Sequence, residues 1–161
     1  MNKNKRDNRY VSYEIICDFL AANKKLSLVI DEHLTKKDVD LNNIPFVTEI
    51  CYGVIRYYFF LEYLIISSTA NNKKIKPDVL SLLLIGSYQL LFMNSVPSYA
   101  AINTTVNLCK IISVHNYKFV NAILRKISEI NLKTLNIPQY IKESFPEYIY
   151  NIYVRDFGKK Y

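Results

Sequence analysis

A chain of 161 residues is long enough for one domain with a full hydrophobic core, and too short for two domains of ordinary size. Half of its residues are hydrophobic and 22% are charged, which excludes an intrinsically disordered chain. Only 3 glycines and 5 prolines interrupt the sequence, so the composition favours helices over many strands and tight turns.

The net charge of +7 and the pI near 9.2 predict an anionic partner, such as nucleic acid or an anionic membrane surface. The alternative is that the many lysines and asparagines reflect an AT-rich genome and have no role in binding. The longest uncharged stretch, 79–109, has a solidly apolar part of about 15 residues, fewer than the roughly 20 that span a bilayer. The N-terminal stretch has no clean signal-peptide core, so we expect a cytoplasmic protein that does not enter a membrane.

Neither the cysteines nor the histidines form a pattern that predicts a metal site or a disulfide framework. Cys17, Cys51 and Cys109 are odd in number, widely spaced and set in apolar stretches, and the only histidines are His33 and His115. Zinc sites need tight ligand clusters, and secreted disulfide frameworks favour an even count. We expect buried free thiols in a reducing compartment.

No motif in the sequence predicts catalysis. The chain has no phosphate-binding loop, dinucleotide fingerprint, nucleophile elbow or metal-binding helix. Most carboxylates lie where ordinary solvated helix faces would place them. We therefore expect a chain that binds no cofactor and is not an enzyme on its own.

The first half of the chain predicts three helices. The first covers 9–22, the second covers 25–34, and a polar loop follows over 35–43. A long third helix is predicted over 45–67, because its apolar residues repeat at helical spacing throughout. Gly53, in the middle of that helix, costs about 1 kcal/mol relative to alanine, so we expect another helix to approach closely there.

After a lysine-rich linker at 71–76, the second half predicts three more helices. The first of them begins at Pro77; its residues 79–93 are apolar nearly all round, as expected of a helix that others surround, and Gly86 predicts a tight crossing. The segments 97–113 and 117–130 are amphipathic.

A looser tail follows, in which Pro138 and Pro146 bracket short helical pieces. With little strand signal anywhere, the sequence predicts the all-α class and a compact bundle of about six to eight helices.

A basic arm at the N-terminus is the first candidate for binding. Lys3, Lys5, Arg6 and Arg9 give four cations against one carboxylate, Asp7. Such an arm gains affinity for phosphates through counterion release. The alternative is a frayed, solvated terminus.

One face of the predicted helix 117–130 is the second candidate. Lys118, Asn121 and Arg125 are spaced at i, i+3 and i+7, so they share a polar face. Two cations that flank an amide suit a phosphate chain and a base or ribose. The alternative is a polar face that simply meets water.

Three sequence blocks resemble the NusB family. Residues 96–106, Val-Pro-Ser-Tyr-Ala-Ala-Ile-Asn-Thr-Thr-Val, resemble the family's step from Val-Pro or Ile-Pro into Ala-Ile-Asn-x-x-Val. Residues 118–124, Lys-Phe-Val-Asn-Ala-Ile-Leu, resemble its second signature, and residues 86–91, Gly-Ser-Tyr-Gln-Leu-Leu, resemble a turn of helix further upstream. The blocks have the family's order and spacing and cover about residues 9–130, so the resemblance implies a NusB-like helical fold.

Within this family the resemblance implies one of two branches. One is the free-standing transcription antitermination factor, which binds leader RNA together with a small-subunit ribosomal protein. The other is the N-terminal domain of the Sun/RsmB-type enzyme, an S-adenosylmethionine-dependent methyltransferase that makes 5-methylcytosine in small-subunit ribosomal RNA. A third reading is a protein-interaction domain with no affinity for RNA.

Three features resemble the methyltransferase branch. They are Gly53-Val-Ile-Arg56, the arginine at 125, and Ser144-Phe-Pro-Glu-Tyr148 followed by Phe157-Gly158. Tyr148 departs from the pattern, since the family has tryptophan there. None of the three cysteines matches the family's two catalytic cysteines, so methyl transfer is not assigned to these residues.

The resemblance divides the chain into a NusB-like RNA-binding domain at 1–134 and a helical linker at 135–161. The linker would lead into a methyltransferase domain that these 161 residues do not contain, as in a split or truncated enzyme. By resemblance, Lys5, Arg6, Arg9, Lys118 and Asn121 meet RNA. Arg56 and Arg125 are further candidates, for which buried ion pairs are the alternative. The expected partners are ribosomal or leader RNA and either a methyltransferase domain or a small-subunit ribosomal protein.

Overall fold

The computed structural model describes residues 7–22, 24–36, 40–70 and 74–158. These residues form nine α-helices and no strand, which confirms the predicted all-α class. In chain order the helices are α1 (Asn8–Ala21), α2 (Leu26–Lys36), α3 (Ile44–Arg56), α4 (Tyr58–Ser68), α5 (Pro77–Phe92), α6 (Ser98–Ile112), α7 (Tyr117–Glu129), α8 (Gln139–Lys142) and α9 (Glu147–Phe157). Two short 3₁₀ turns, Leu41–Asn43 and Val114–Asn116, precede α3 and α7.

The prediction of one continuous helix over 45–67 is wrong. Residues 41–56 and α4 meet at an angle of 76°, and Tyr57 between them has a non-helical backbone with φ −103° and ψ 20°. The Tyr57 ring stacks on Phe92 of α5, with ring centroids 4.2 Å apart. Because the apolar residues keep their helical spacing across the bend, the sequence pattern gave no sign of the break.

The central helix is α5, as its apolar sequence predicts. Every residue from 81 to 89 is buried, and α1, α3, α4, α6 and α7 all pack against this helix. Burial of these side chains supplies much of the hydrophobic free energy that holds the bundle together. No single helix within the described residues is long and apolar enough to cross a membrane, although α3 and α4 together pass that test as a bent pair.

Both helix-interior glycines mark close approaches, which confirms the two predicted crossings. The ring of Tyr88 on α5 occupies the space that a side chain at Gly53 would need. A methyl group at Gly86 would lie 2.8 Å from the side chain of Leu124 on α7. The two glycines therefore set how closely α3 and α7 approach the central helix.

The three cysteines are free thiols. Cys51 and Cys109 are buried, as predicted, whereas Cys17 is half-buried. Burial raises the pKa of the Cys51 thiol to about 12, so this thiol stays protonated at neutral pH. Among the described residues, no group of histidine, cysteine and acidic side chains is placed to hold a metal ion.

The two helices of the tail differ in how firmly they are attached. Ile137, just before α8, is buried in the core, and the Phe60 backbone N–H on α4 donates to Ser144 Oγ at 3.4 Å. The last helix, α9, packs against α8 and contains no buried residue. The segment before α9 thus belongs to the bundle, and α9 projects from it.

We expect Gly53→Ala to lower the free energy of unfolding by about 1–2 kcal/mol, because the cost of overpacking exceeds the gain in helix propensity. The Tyr88 ring would have to move, and its hydroxyl would lose its hydrogen bond to Glu49 Oε1 at 2.5 Å. Urea unfolding followed by circular dichroism measures the change. Ser67→Ala, on an exposed position of α4, is the control, and equal stability of the two variants would contradict the prediction.

Candidate nucleic-acid interface

The amphipathic helix α7 carries the predicted polar face outward. Val120, Ile123, Leu124 and Ile127 on its other side are buried in the core. Lys118 and Arg125 are exposed and Asn121 is half-exposed, with Arg125 Nε 3.5 Å from Asn121 Oδ1. The three predicted residues therefore lie together, with their charged and amide groups available to a ligand.

Lys126, another cation of α7, makes a contact within the bundle. Lys126 Nζ donates to the carbonyl oxygen of Ser68 at 3.0 Å, at the C-terminal end of α4. The partial negative charge at a helix C-terminus attracts a cation. Lys126 thus ties α7 to α4, whereas Lys118 and Arg125 point away from the core.

A cavity of about 300 Å³ opens beside the start of α7. It lies between the segment that leads into α5 and the 3₁₀ turn before α7, and its lining residues are Lys74, Ile75, Lys76, Val79, His115, Asn116 and Phe119. Lysine side chains attract phosphate, and an aromatic ring offers a surface on which an unpaired base stacks. The cavity thus places cations and an aromatic side chain at the start of α7, the helix that carries Lys118.

Sequence patterns alone do not identify this cavity. They predict a linker at residues 71–76 and place Phe119 in an apolar stripe. The one signal available was the concentration of lysines before Pro77. Only the packing of α5 beside α7 places Lys74 and Lys76 next to His115, about 40 residues further along the chain.

The outer side of α6 continues the polar surface. Lys110 Nζ lies 5.5 Å from the centre of the Tyr117 ring and 3.5 Å from Asn107 Oδ1. A lysine over an aromatic ring makes a cation–π contact. Lys110 therefore adds a cation on α6 beside the Tyr117 ring at the start of α7.

Arg9 is tied into the bundle at a different place. Its Nε donates to Oε1 of the buried Gln89 on α5 at 2.7 Å, and its guanidinium lies 5.0 Å from the centre of the Phe46 ring. Burial lowers the pKa of Arg9, and the carboxylate of Asp7 partly opposes that shift. Arg9 thus has a clear structural function, and its contact with RNA stays a prediction.

Arg56 is the last residue of α3, and its exposed side chain acts electrostatically on the Tyr88 hydroxyl. Burial and the hydrogen bond to Glu49 raise the pKa of the Tyr88 hydroxyl, and the positive charge of Arg56 partly opposes the shift. Exposure rules out the alternative of a fully buried ion pair for Arg56. The other predicted cations of the arm, Lys3, Lys5 and Arg6, lie outside the described residues.

Together the fold and this surface define a class of protein: an all-helical domain that presents cations, amides and aromatic rings side by side. This combination suits single-stranded nucleic acid, since cations meet the phosphates while amides and rings meet the bases.

Comparison with known proteins identifies the family. The NusB family pattern matches residues 6–129, and the chain belongs to the NusB family. The "Probable ribosomal RNA small subunit methyltransferase B" of Synechocystis is 29% identical over 160 residues, which cover 94% of this chain and 36% of that protein. The corresponding methyltransferase of Shewanella oneidensis is 34% identical over 125 residues, which cover 74% of this chain and 28% of that protein.

A free-standing factor is also similar. The transcription antitermination protein NusB of Shewanella loihica is 27% identical over 125 residues, which cover 76% of this chain and 93% of that protein. The chain thus spans about a third or less of these methyltransferases and nearly all of the antitermination protein.

We expect Arg9→Ala to lower the free energy of unfolding by roughly 1–3 kcal/mol, because it leaves the buried Gln89 side chain without its donor. Urea unfolding measures the loss. Arg125→Ala, which removes an exposed arginine, is the matched control and should change stability by less than about 0.5 kcal/mol. A neutral effect of Arg9→Ala would show that the contact with Gln89 does not stabilise the bundle.

Proposed function

We propose that this chain binds RNA and serves as the ribosomal-RNA-recognition part of a 5-methylcytosine methyltransferase whose catalytic part lies outside these 161 residues. The observation that carries the proposal is the surface formed by the α7 face and the adjoining cavity. It combines Lys118, Arg125 and Asn121 with the lysines and the phenylalanine of the cavity.

The proposal of a methyltransferase part is supported by the share of this chain that the similarity covers. The match to the Synechocystis protein covers 94% of this chain, whereas the match to the antitermination protein of Shewanella loihica covers 76%. The resemblance of residues 144–148 and 157–158 to the joining segment of the methyltransferases supports the same reading. The chain would place cytoplasmic ribosomal RNA for a methyl transfer that it does not itself perform.

In this proposal the contacts with RNA are of two kinds. Lys118, Arg125 and the basic arm at Lys3, Lys5, Arg6 and Arg9 would pair with phosphates, which supply most of the affinity and little sequence preference. Asn121 and the Phe119 ring would contact unpaired bases, where sequence preference arises. Arg56, on α3, would extend the phosphate contacts beyond α7.

A second candidate is a transcription antitermination factor that binds leader RNA together with a small-subunit ribosomal protein. The similarity to the protein of Shewanella loihica, across 93% of that protein's length, favours it. The two candidates share the RNA surface and differ in the RNA and in the protein partner.

Titration of the purified chain with two RNAs tests the proposal. One is a small-subunit ribosomal RNA fragment and the other is a single-stranded leader RNA, each at low and at moderate salt. We expect tighter binding to the ribosomal fragment, with an affinity that falls steeply as salt rises because several phosphates are neutralised. Preference for the leader would favour the second candidate, and no binding at low salt would leave a protein-interaction domain.

Reversing two charges on α7 tests the surface itself. We expect Lys118→Glu with Arg125→Glu to weaken RNA binding by about tenfold or more and to reduce the salt slope by roughly 1–2, since two phosphate contacts are lost. Fluorescence anisotropy at three salt concentrations measures both quantities.

The matched control is Lys142→Glu with Arg155→Glu, which makes the same change in net charge at exposed positions of α8 and α9. An equal loss of affinity in the control would mean that RNA responds to net charge alone, and the α7 surface would not be the binding site.

A further inference from the structure

Helix α9 and the residue Phe145 just before it carry a series of exposed large apolar side chains. Tyr148 and Phe157 are 67% and 68% exposed. The other exposed members of this surface are Phe145, Ile149, Ile152 and Tyr153. They recur at spacings of three and four residues, so they form one continuous surface, which we call the α9 face. Tyr150 packs toward Tyr140 of α8, with ring centroids 6.3 Å apart.

A continuous exposed apolar surface marks a contact with another molecule. Scattered exposed apolar residues are common on proteins, but six neighbouring large ones within residues 145–157, five of them on α9, are not. A cavity of about 210 Å³ lies along the same helix, lined by Glu143, Phe145, Ile149, Tyr150 and Tyr153. The α9 face therefore has both the apolar area and a recess that a partner side chain would fill.

The charges around the α9 face give little attraction for RNA. Residues 139–161 contain four cations, Lys142, Arg155, Lys159 and Lys160, and three carboxylates, Glu143, Glu147 and Asp156. Arg155 is paired with Asp156, its Nε donating to Oδ1 at 2.7 Å. Cations and carboxylates are thus nearly balanced in a segment that exposes large apolar side chains, which favours a protein as the occupant of this face.

The similarity to known proteins indicates what kind of protein binds the α9 face. The NusB family pattern ends at residue 129, before α8 and α9. A match that covers 94% of the chain leaves only about ten residues unmatched, so the similarity to the Synechocystis methyltransferase extends into α9. The part of the chain that carries the α9 face is thus shared with methyltransferases and lies outside the common NusB-like bundle.

We propose that the α9 face is the docking surface for a methyltransferase catalytic domain. The inference rests on the proposed function and adds the surface through which the RNA-binding bundle and the catalytic domain are held together. RNA on the α7 surface and the catalytic domain on the α9 face then occupy different parts of the chain, and both bind at once.

Site-specific photo-crosslinking tests the proposal. The full chain, with benzoylphenylalanine in place of Tyr148, is added to an extract of the organism that makes it and irradiated, and the adducts are identified by mass spectrometry. We expect peptides from a polypeptide similar to the catalytic part of the methyltransferase relatives. The positional control carries benzoylphenylalanine in place of Tyr99, which is 71% exposed on α6, and should not give this adduct.

A substitution within the α9 face provides the second part of the test. Ile152→Ser should abolish the adduct from position 148, whereas Asn151→Ser, at an exposed polar position of the same helix, should leave it unchanged. Circular dichroism verifies that both variants keep their helices. An adduct with a second copy of the chain, with an unrelated protein, or equally from Tyr99 would overturn the proposal, as would its absence.

The RNA variants separate this proposal from the one on which it rests. The Lys118→Glu, Arg125→Glu chain should lose RNA binding and keep the adduct from position 148. The Ile152→Ser chain should keep RNA binding and lose the adduct. If the chain binds neither RNA while the adduct from position 148 persists, the proposed RNA function is wrong and the proposed docking surface is still supported.

Discussion

The packing of neighbouring helices against two glycines determines how the bundle is arranged around α5. At Gly53 the backbone of α3 lies directly against the Tyr88 ring, and at Gly86 the backbone of α5 lies against Leu124 of α7. Any side chain at these positions would separate the helices, and protein interiors do not tolerate such gaps or overlaps cheaply. Because α5 is buried on all sides, its position sets that of each surrounding helix.

The candidate RNA surface follows from this packing. The contact of Gly86 with Leu124 presses the apolar side of α7 onto α5, so that Lys118 and Arg125 face outward. The same contact places the start of α7 beside the segment that leads into α5, and the cavity with its lysines forms between them. A change in the core at Gly86 would thus alter the surface as well as stability.

Polar contacts between distant residues complete the arrangement. Arg9 reaches the buried Gln89, and Lys126 reaches the carbonyl oxygen of Ser68 at the end of α4. A buried amide without a partner costs about 1–3 kcal/mol, which is large relative to the stability of a small domain. The basic residues of this chain therefore differ in their surroundings, since Arg9 and Lys126 make contacts within the bundle whereas Lys118 and Arg125 are exposed.

The sequence by itself determined the all-α class, the ends of most helices to within about two residues, the close approaches at Gly53 and Gly86, and the shared face of Lys118, Asn121 and Arg125. The helices and the shared face depend on residues within a few turns of one helix, and periodicity records them. A glycine inside a helix indicates that a neighbour comes close, but the sequence does not identify the neighbours as Tyr88 and Leu124. Only the tertiary structure decided the bend at Tyr57, the burial of Arg9 against Gln89, and the cavity that joins Lys76 to Phe119. Each of these depends on a contact between helices, and the spacing of residues within one helix carries no record of which side chain a neighbouring helix will bring against it.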